Sequence, residues 1–150
     1  MPVGDRIKLS GPEIQTFFGT PNIDMELIAE TVPPITVREA DFDIDTGIEA
    51  KFLDRLTFNA TGLIWAGVVF TGQNGPNGWN SIDPDPKFPL VGSHPYCLIG
   101  RMDGRYFFVG DGQVFFYRGK GSRVALRTND DSPGNGTGAF DCTIQQWRRV

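Results

Sequence analysis

Between residues 129 and 138 the chain reads Asn129-Asp130-Asp131-Ser132-Pro133-Gly134-Asn135-Gly136-Thr137-Gly138. Carboxylate, amide and hydroxyl oxygens are concentrated in this polar run, and its glycines let backbone carbonyls turn towards a common centre. A calcium ion takes about six to eight hard oxygen ligands in flexible geometry, which this composition can supply. The same residue types also build long hairpin turns, so composition alone leaves both readings open.

Other candidates are weaker. Asp41-Phe42-Asp43-Ile44-Asp45-Thr46-Gly47 opens like an EF-hand loop, but such a loop needs glycine sixth and glutamate twelfth. Here Gly47 is seventh and Phe52 twelfth, so the stretch reads as a solvent-facing edge or turn. His94 is the single histidine. Any Ser-His-Asp or Cys-His centre would have to use it, and Gly92-Ser93-His94-Pro95 carries no nucleophile motif. Gly119-Lys120-Gly121-Ser122 lacks P-loop spacing and a following helix. A carboxylate pair could be drawn from 18 acidic residues almost at will. No catalytic constellation stands out, and an enzyme is not expected. Trp65 reads as core. Trp79, in Gly78-Trp79-Asn80, reads as an exposed aromatic face of the kind that stacks on sugars.

The elements that position these residues follow from composition. Of 150 residues, 19 are Gly and 11 are Pro, which is one in five against about 12% in average usage. Long helices cannot carry that load, because each Gly or Pro in a helix interior costs roughly 1–3 kcal/mol. Disorder does not fit 39% hydrophobic and 12% aromatic residues. A single all-β domain rich in turns remains. The net charge of −4 argues against nucleic-acid and anionic membrane partners. No apolar run reaches the roughly 18 residues that span a bilayer. No signal-peptide core is visible near the N-terminus, so a cytoplasmic protein, or one released by a non-classical route, is expected. Cys97 and Cys142 sit among apolar residues as buried free thiols or as a cross-strand disulfide.

Along the chain, residues 1–35 read as an N-terminal extension. It holds a short helix over 13–18, with Ser10 as its cap and Gly19 and Pro21 as its stop, then a β-compatible run over 25–32. Residues 36–150 read as the main domain. Strands are expected at 35–37, 51–60 with Phe52, Leu56, Phe58 and Ala60 inward, 63–65 beyond a break at Gly62, 96–102, 106–109, 114–117, 124–128 and 139–145. Asp103-Gly104 marks a hairpin. Residues 71–89 are almost pure loop, and a loop that long inside a compact domain is usually functional.

The order of several motifs then becomes informative. Asp45-Thr46-Gly47-Ile48, Asp54-Arg55-Leu56-Thr57-Phe58-Asn59-Ala60-Thr61-Gly62 and Gly75-Pro76-Asn77-Gly78 follow one another. Pro89-Leu90, Leu98-Ile99-Gly100-Arg101, Leu126-Arg127-Thr128-Asn129-Asp130 and Gly134-Asn135-Gly136-Thr137-Gly138-Ala139-Phe140 complete the series. Over about residues 36–145 it resembles the PA-I-type galactophilic lectins and related bacterial domains. The resemblance implies a jelly-roll-like β-sandwich of the galactose-binding-domain kind, with one calcium ion that also binds two hydroxyls of the sugar. By position, Asp130 and Asn135 match side-chain calcium ligands of that family and Ala66 a backbone carbonyl ligand, with Ser132 a further carbonyl. Gly136 stands where the family has a second asparagine, a place Asp131 could fill. The family's His-Pro-Asp-Gln specificity run is replaced by Ile82-Asp83-Pro84-Asp85-Pro86-Lys87. The expectation is a calcium-dependent, non-catalytic carbohydrate-binding protein, acting as a homo-oligomer on galactose-like or other glycans. Asp83, Asp85 and Trp79 would choose the sugar. The alternative is an interaction subunit that keeps the sandwich and has lost sugar binding.

Overall fold

The computed structural model describes residues 2–80 and 85–150. It contains β1 (Arg6–Ser10), α1 (Pro12–Phe18), β2 (Asn22–Glu30), β3 (Ile35–Arg38), β4 (Ile44–Ala50), β5 (Arg55–Trp65) and β6 (Gln73–Asn74). They are followed by β7 (Leu98–Met102), β8 (Arg105–Phe108), β9 (Gly112–Phe116), β10 (Ser122–Thr128) and β11 (Thr137–Arg149). The strands form two antiparallel sheets. One runs β1-β2-β11-β5-β6, with β3 also on β11 and β9 also on β5; the other runs β4-β10-β7-β8. This is the all-β sandwich expected from the sequence.

The core lies between the sheets. Leu56, Phe58, Ala60, Phe140, Cys142 and Ile144 from the larger sheet meet Ile48, Ala50, Leu98, Val124 and Leu126 from the smaller. On β11 the inward residues are Phe140, Cys142 and Ile144, the two-residue period of a strand with one buried face. Trp147 is out of step with them and pairs with Arg55. It therefore points to the outer face, where α1 and β2 cover it with Ile14, Ile23, Met25 and Leu27. Residues before 36 are thus sewn into the larger sheet, with β2 against the far half of β11.

Several local expectations change. Ser10 ends β1, and α1 starts from Gly11 with no side-chain cap. Gly19 closes α1 in the left-handed conformation, as a helix-stopping glycine should. The strand expected from residue 51 begins at Arg55. Lys51 N donates to Asp54 Oδ2 at 2.8 Å and Asp54 N to Lys51 O at 2.9 Å, which closes a turn ahead of it. Phe52 sits on that turn and is 63% exposed rather than inward. Gly62 does not interrupt β5, which runs unbroken through it against β11. Asp103 and Gly104 both take positive φ, 53° and 73°, in the tight turn of the β7–β8 hairpin. Both cysteines are buried free thiols. Among the described residues no helix is long and apolar enough to cross a membrane.

Candidate functional site

The polar cluster forms where four strand ends meet. β5 and β11 run antiparallel up to the pair Trp65↔Thr137, so Ala66 and Gly136 emerge side by side. β3 joins the same end of β11 through Arg38↔Ala139, and Glu39 N donates to Gly138 O at 3.1 Å. β10 arrives from the opposite sheet and delivers Asn129 and Asp130 just past its last residue.

Close approach requires glycine at two of these positions. A β-carbon on Gly136 would lie 1.8 Å from Trp65 O. One on Gly67, whose φ is +86°, would lie 2.4 Å from Asn135 O. An asparagine side chain therefore has no room at position 136 in this chain.

The Asn135 amide reaches into the cluster. Its inner terminal atom lies 2.7 Å from Ser132 O, 2.8 Å from Ala66 O and 3.3 Å from Glu39 Oε1. With Oδ1 in that place, four oxygens converge and no donor faces them. Turned end for end, Nδ2 donates to all three. The two orientations thus correspond to a cation among oxygens and to a self-satisfied cluster.

Asp130 is 2% exposed. Its Oδ1 accepts from Ser132 N at 2.9 Å, while its Oδ2 is buried with no hydrogen-bond partner among the described residues. Burial first, then the neighbouring Glu39, push the Asp130 carboxyl up to about 7. Glu39 is 1% exposed, and its Oε2 accepts from Gly134 N and Gly136 N at 3.0 and 3.1 Å. Buried carboxylates without cationic partners are costly, and an orphaned buried oxygen calls for an account. An oxygen-only donor set of carboxylate, amide and backbone carbonyls is the set that suits a hard divalent cation. The residues present therefore fit calcium.

The structure brings Asp130, Asn135, Ser132 and Ala66 together, all four named from the sequence. Asp131 is placed differently: its Oδ2 lies 3.9 Å from Lys87 Nζ, and that lysine also lies 3.8 Å from Asp85 Oδ2. Lys87 thus straps the 85–88 segment to the 129–138 loop. Asp85 also accepts from Lys87 N at 3.0 Å. Trp79 is half-buried, tilted against the exposed Phe70 at 6.0 Å. Asp83 lies outside the described residues. Trp65, expected as core, is half-buried, with its Nε1 donating to Val68 O at 3.1 Å. His94 is occupied by a ring-nitrogen hydrogen bond to Trp79 O at 2.8 Å, a loop-holding role.

Sequence reasoning missed Glu39, Asn129 and Lys87. Glu39 belongs to a strand end remote in sequence and carries no local motif. Asn129 sat inside the conspicuous run without a role of its own.

No protein-family model and no curated protein sequence matches the chain. Among solved structures it superposes on the N-terminal domain of EclA, described as a PllA-like lectin, with a TM-score of 0.59. The fold is lectin-like. The match covers 80% of this chain and 97% of the other at 18% identity, so the likeness concerns the fold.

Proposed function

We propose that this chain is a non-catalytic carbohydrate-binding domain whose site is completed by calcium. The observation that carries the reading is the convergence of the Asn135 amide with Ser132 O and Ala66 O beside the orphaned Oδ2 of Asp130. The fold of a lectin domain supports it. Asp130, Asn135 and the carbonyls of Ser132 and Ala66 would hold the ion. Bound there, calcium supplies open coordination positions for two neighbouring hydroxyls of a sugar.

The chain's own residues do the remaining work. The β5–β11 ladder fixes Ala66 and the 135–137 segment. Asn129 and Lys87 hold the loops on either side. Trp79 and Phe70 offer an apolar face, and Asp85 offers acceptors, for choosing among neutral galactose-like sugars. A shallow polar site of this kind gains little from burial, so affinity per site is modest and a homo-oligomer would raise it through multivalency.

A second reading has one observation in its favour. With Nδ2 inward, Asn135 satisfies three acceptors without any ion. That arrangement suits an interaction module that has dispensed with the metal. Melting curves in EDTA and then in calcium separate the two. Calcium at 100 times its dissociation constant should stabilise the folded state by about 2.7 kcal/mol. Absence of a shift rejects the calcium reading; a shift followed by silence on a glycan array run in calcium rejects the sugar.

A further inference from the structure

We propose that Glu39 is itself a cation ligand, the second carboxylate of the site, delivered from the end of β3 instead of from the β10–β11 loop. The inference rests on the calcium reading above and adds to it a residue that neither the sequence nor the family resemblance supplied.

Three observations converge on Glu39. Its two oxygens have different surroundings. Oε2 is taken by the amides of Gly134 and Gly136, which fixes the carboxylate plane. Oε1 is left facing the inner atom of the Asn135 amide at 3.3 Å. Glu39 is also an electrostatic neighbour of Asp130, whose Oδ2 is buried without a hydrogen-bond partner among the described residues. Two neighbouring buried carboxylates repel unless a proton or a cation offsets their charge.

No side-chain cation among the described residues does that job. The nearby cations are engaged elsewhere. Arg38 pairs with Asp41 at 3.0 Å. Arg127 donates to the backbone oxygens of Thr128 and Asp130, each at 3.1 Å. Lys87 lies against Asp85 and Asp131.

The third observation is steric. Position 136 cannot bear a side chain, because Trp65 O occupies its place. Glu39 reaches the backbone amide of that same residue from the neighbouring strand. A side chain that the loop cannot carry at 136 is thus matched by a carboxylate reaching the same place from β3. Together with Asp130 it brings two formal negative charges, which a divalent cation neutralises. A neutral centre favours uncharged hydroxyls over acidic sugars as the remaining ligands.

The test uses the full chain as wild type and Glu39→Gln, each melted in EDTA and across a calcium titration. Gln keeps an acceptor oxygen for Gly134 and Gly136, and it removes the charge by putting an NH2 donor in place of the other oxygen. Glu39→Gln should melt in EDTA at or above the wild-type temperature, since carboxylate repulsion is relieved. Its calcium midpoint should rise at least about tenfold, because ligand charge sets affinity in oxygen sites. A wild-type calcium midpoint in Glu39→Gln overturns the assignment while leaving the calcium reading intact. No calcium response in the wild type overturns both. If Glu39→Gln does not fold, Glu39→Asp keeps the charge but withdraws it by one methylene, and an unchanged midpoint there overturns the assignment equally.

Discussion

Asn129 and Leu90 exchange two hydrogen bonds: Leu90 N donates to Asn129 Oδ1 at 2.9 Å, and Asn129 Nδ2 donates back to Leu90 O at 3.3 Å. The same Nδ2 also donates to His94 O at 3.1 Å. A side chain thereby plays the part of a strand for the 90–94 segment, next to Asp130. Asn129→Ala would take the acceptor from Leu90 N and leave Leu90 O and His94 O with only the long bonds from Ser93 N at 3.4 Å and Cys97 N at 3.5 Å, at about 1–3 kcal/mol. We expect urea denaturation to report that loss. Limited proteolysis should cut first within residues 85–95 in the variant and not in the wild type.

Gly136→Ala is expected to cost about 2 kcal/mol or more, since its β-carbon would collide with the backbone of Trp65. Gly112 is the comparison, because a β-carbon there would lie 3.7 Å from Phe58 O, an ordinary contact. Gly112→Ala should be within about 0.5 kcal/mol of wild type. Thermal melting of the two variants side by side decides the point. Equal behaviour would mean that Gly136 is not held against β5.

Asp54 is 1% exposed on its side chain and is gripped from three sides. Arg148 Nε and Nη2 donate to its two oxygens at 2.8 Å each. Gln146 Nε2 donates to Oδ2 at 2.7 Å, as does Lys51 N at 2.8 Å. Arg148→Met removes the counter-charge and strands a buried carboxylate, with an expected loss of about 3 kcal/mol in chemical denaturation. Adding Asp54→Asn should recover part of it, and a double-mutant cycle measures the coupling.

The thiols offer a pH test. Burial pushes Cys97 up to about 11 and Cys142 up to about 12. At pH 8 a thiol at 11 is on the order of one part in a thousand thiolate, and the thiolate is the reactive form. Iodoacetamide should therefore leave both residues unmodified in native buffer. Both should react once the chain is unfolded in urea, with intact mass as the readout. Native labelling should increase only as pH climbs towards 11. Rapid modification at pH 8 would show that the core opens locally.

Asp130→Ala should abolish any calcium-dependent rise in melting temperature, because it removes the carboxylate that enters the cluster. A rise that persists in this variant would move the ion elsewhere.

Much of this architecture is legible in the chain. The two-residue alternation from Leu56 to Ala60 and from Phe140 to Ile144 announces strands with one buried face, and Asp103-Gly104 announces its hairpin. What misled was local side-chain chemistry. The Asp54 carboxylate folds residues 51–54 into a turn, although Phe52 keeps the even-numbered step of the inward Leu56, Phe58 and Ala60, and so exposes Phe52. Ser10 has the chemistry of a helix cap yet is drawn into β1, where it pairs with Asn22. At the site, Asp130 and Asn135 lie in one oxygen-rich run and could be found there. Glu39 could not, because only the packing of β3 on β11 brings it to that run, and no spacing in the sequence encodes a pairing between remote segments.

The placement of β2 bears on any attempt to shorten the chain. β11 is 13 residues long, and towards its end β2 pairs with Gln145–Arg149 on one side while β5 pairs as far as Trp147 on the other. A fragment beginning at Ile35 would leave that flank of β11 as a bare edge, with the Trp147 indole uncovered beside it. Open edges with apolar neighbours recruit other chains. The trimmed fragment would therefore be a poor crystallisation or fusion reagent. The leading strand pair is best regarded as built-in protection against self-association of the sheet.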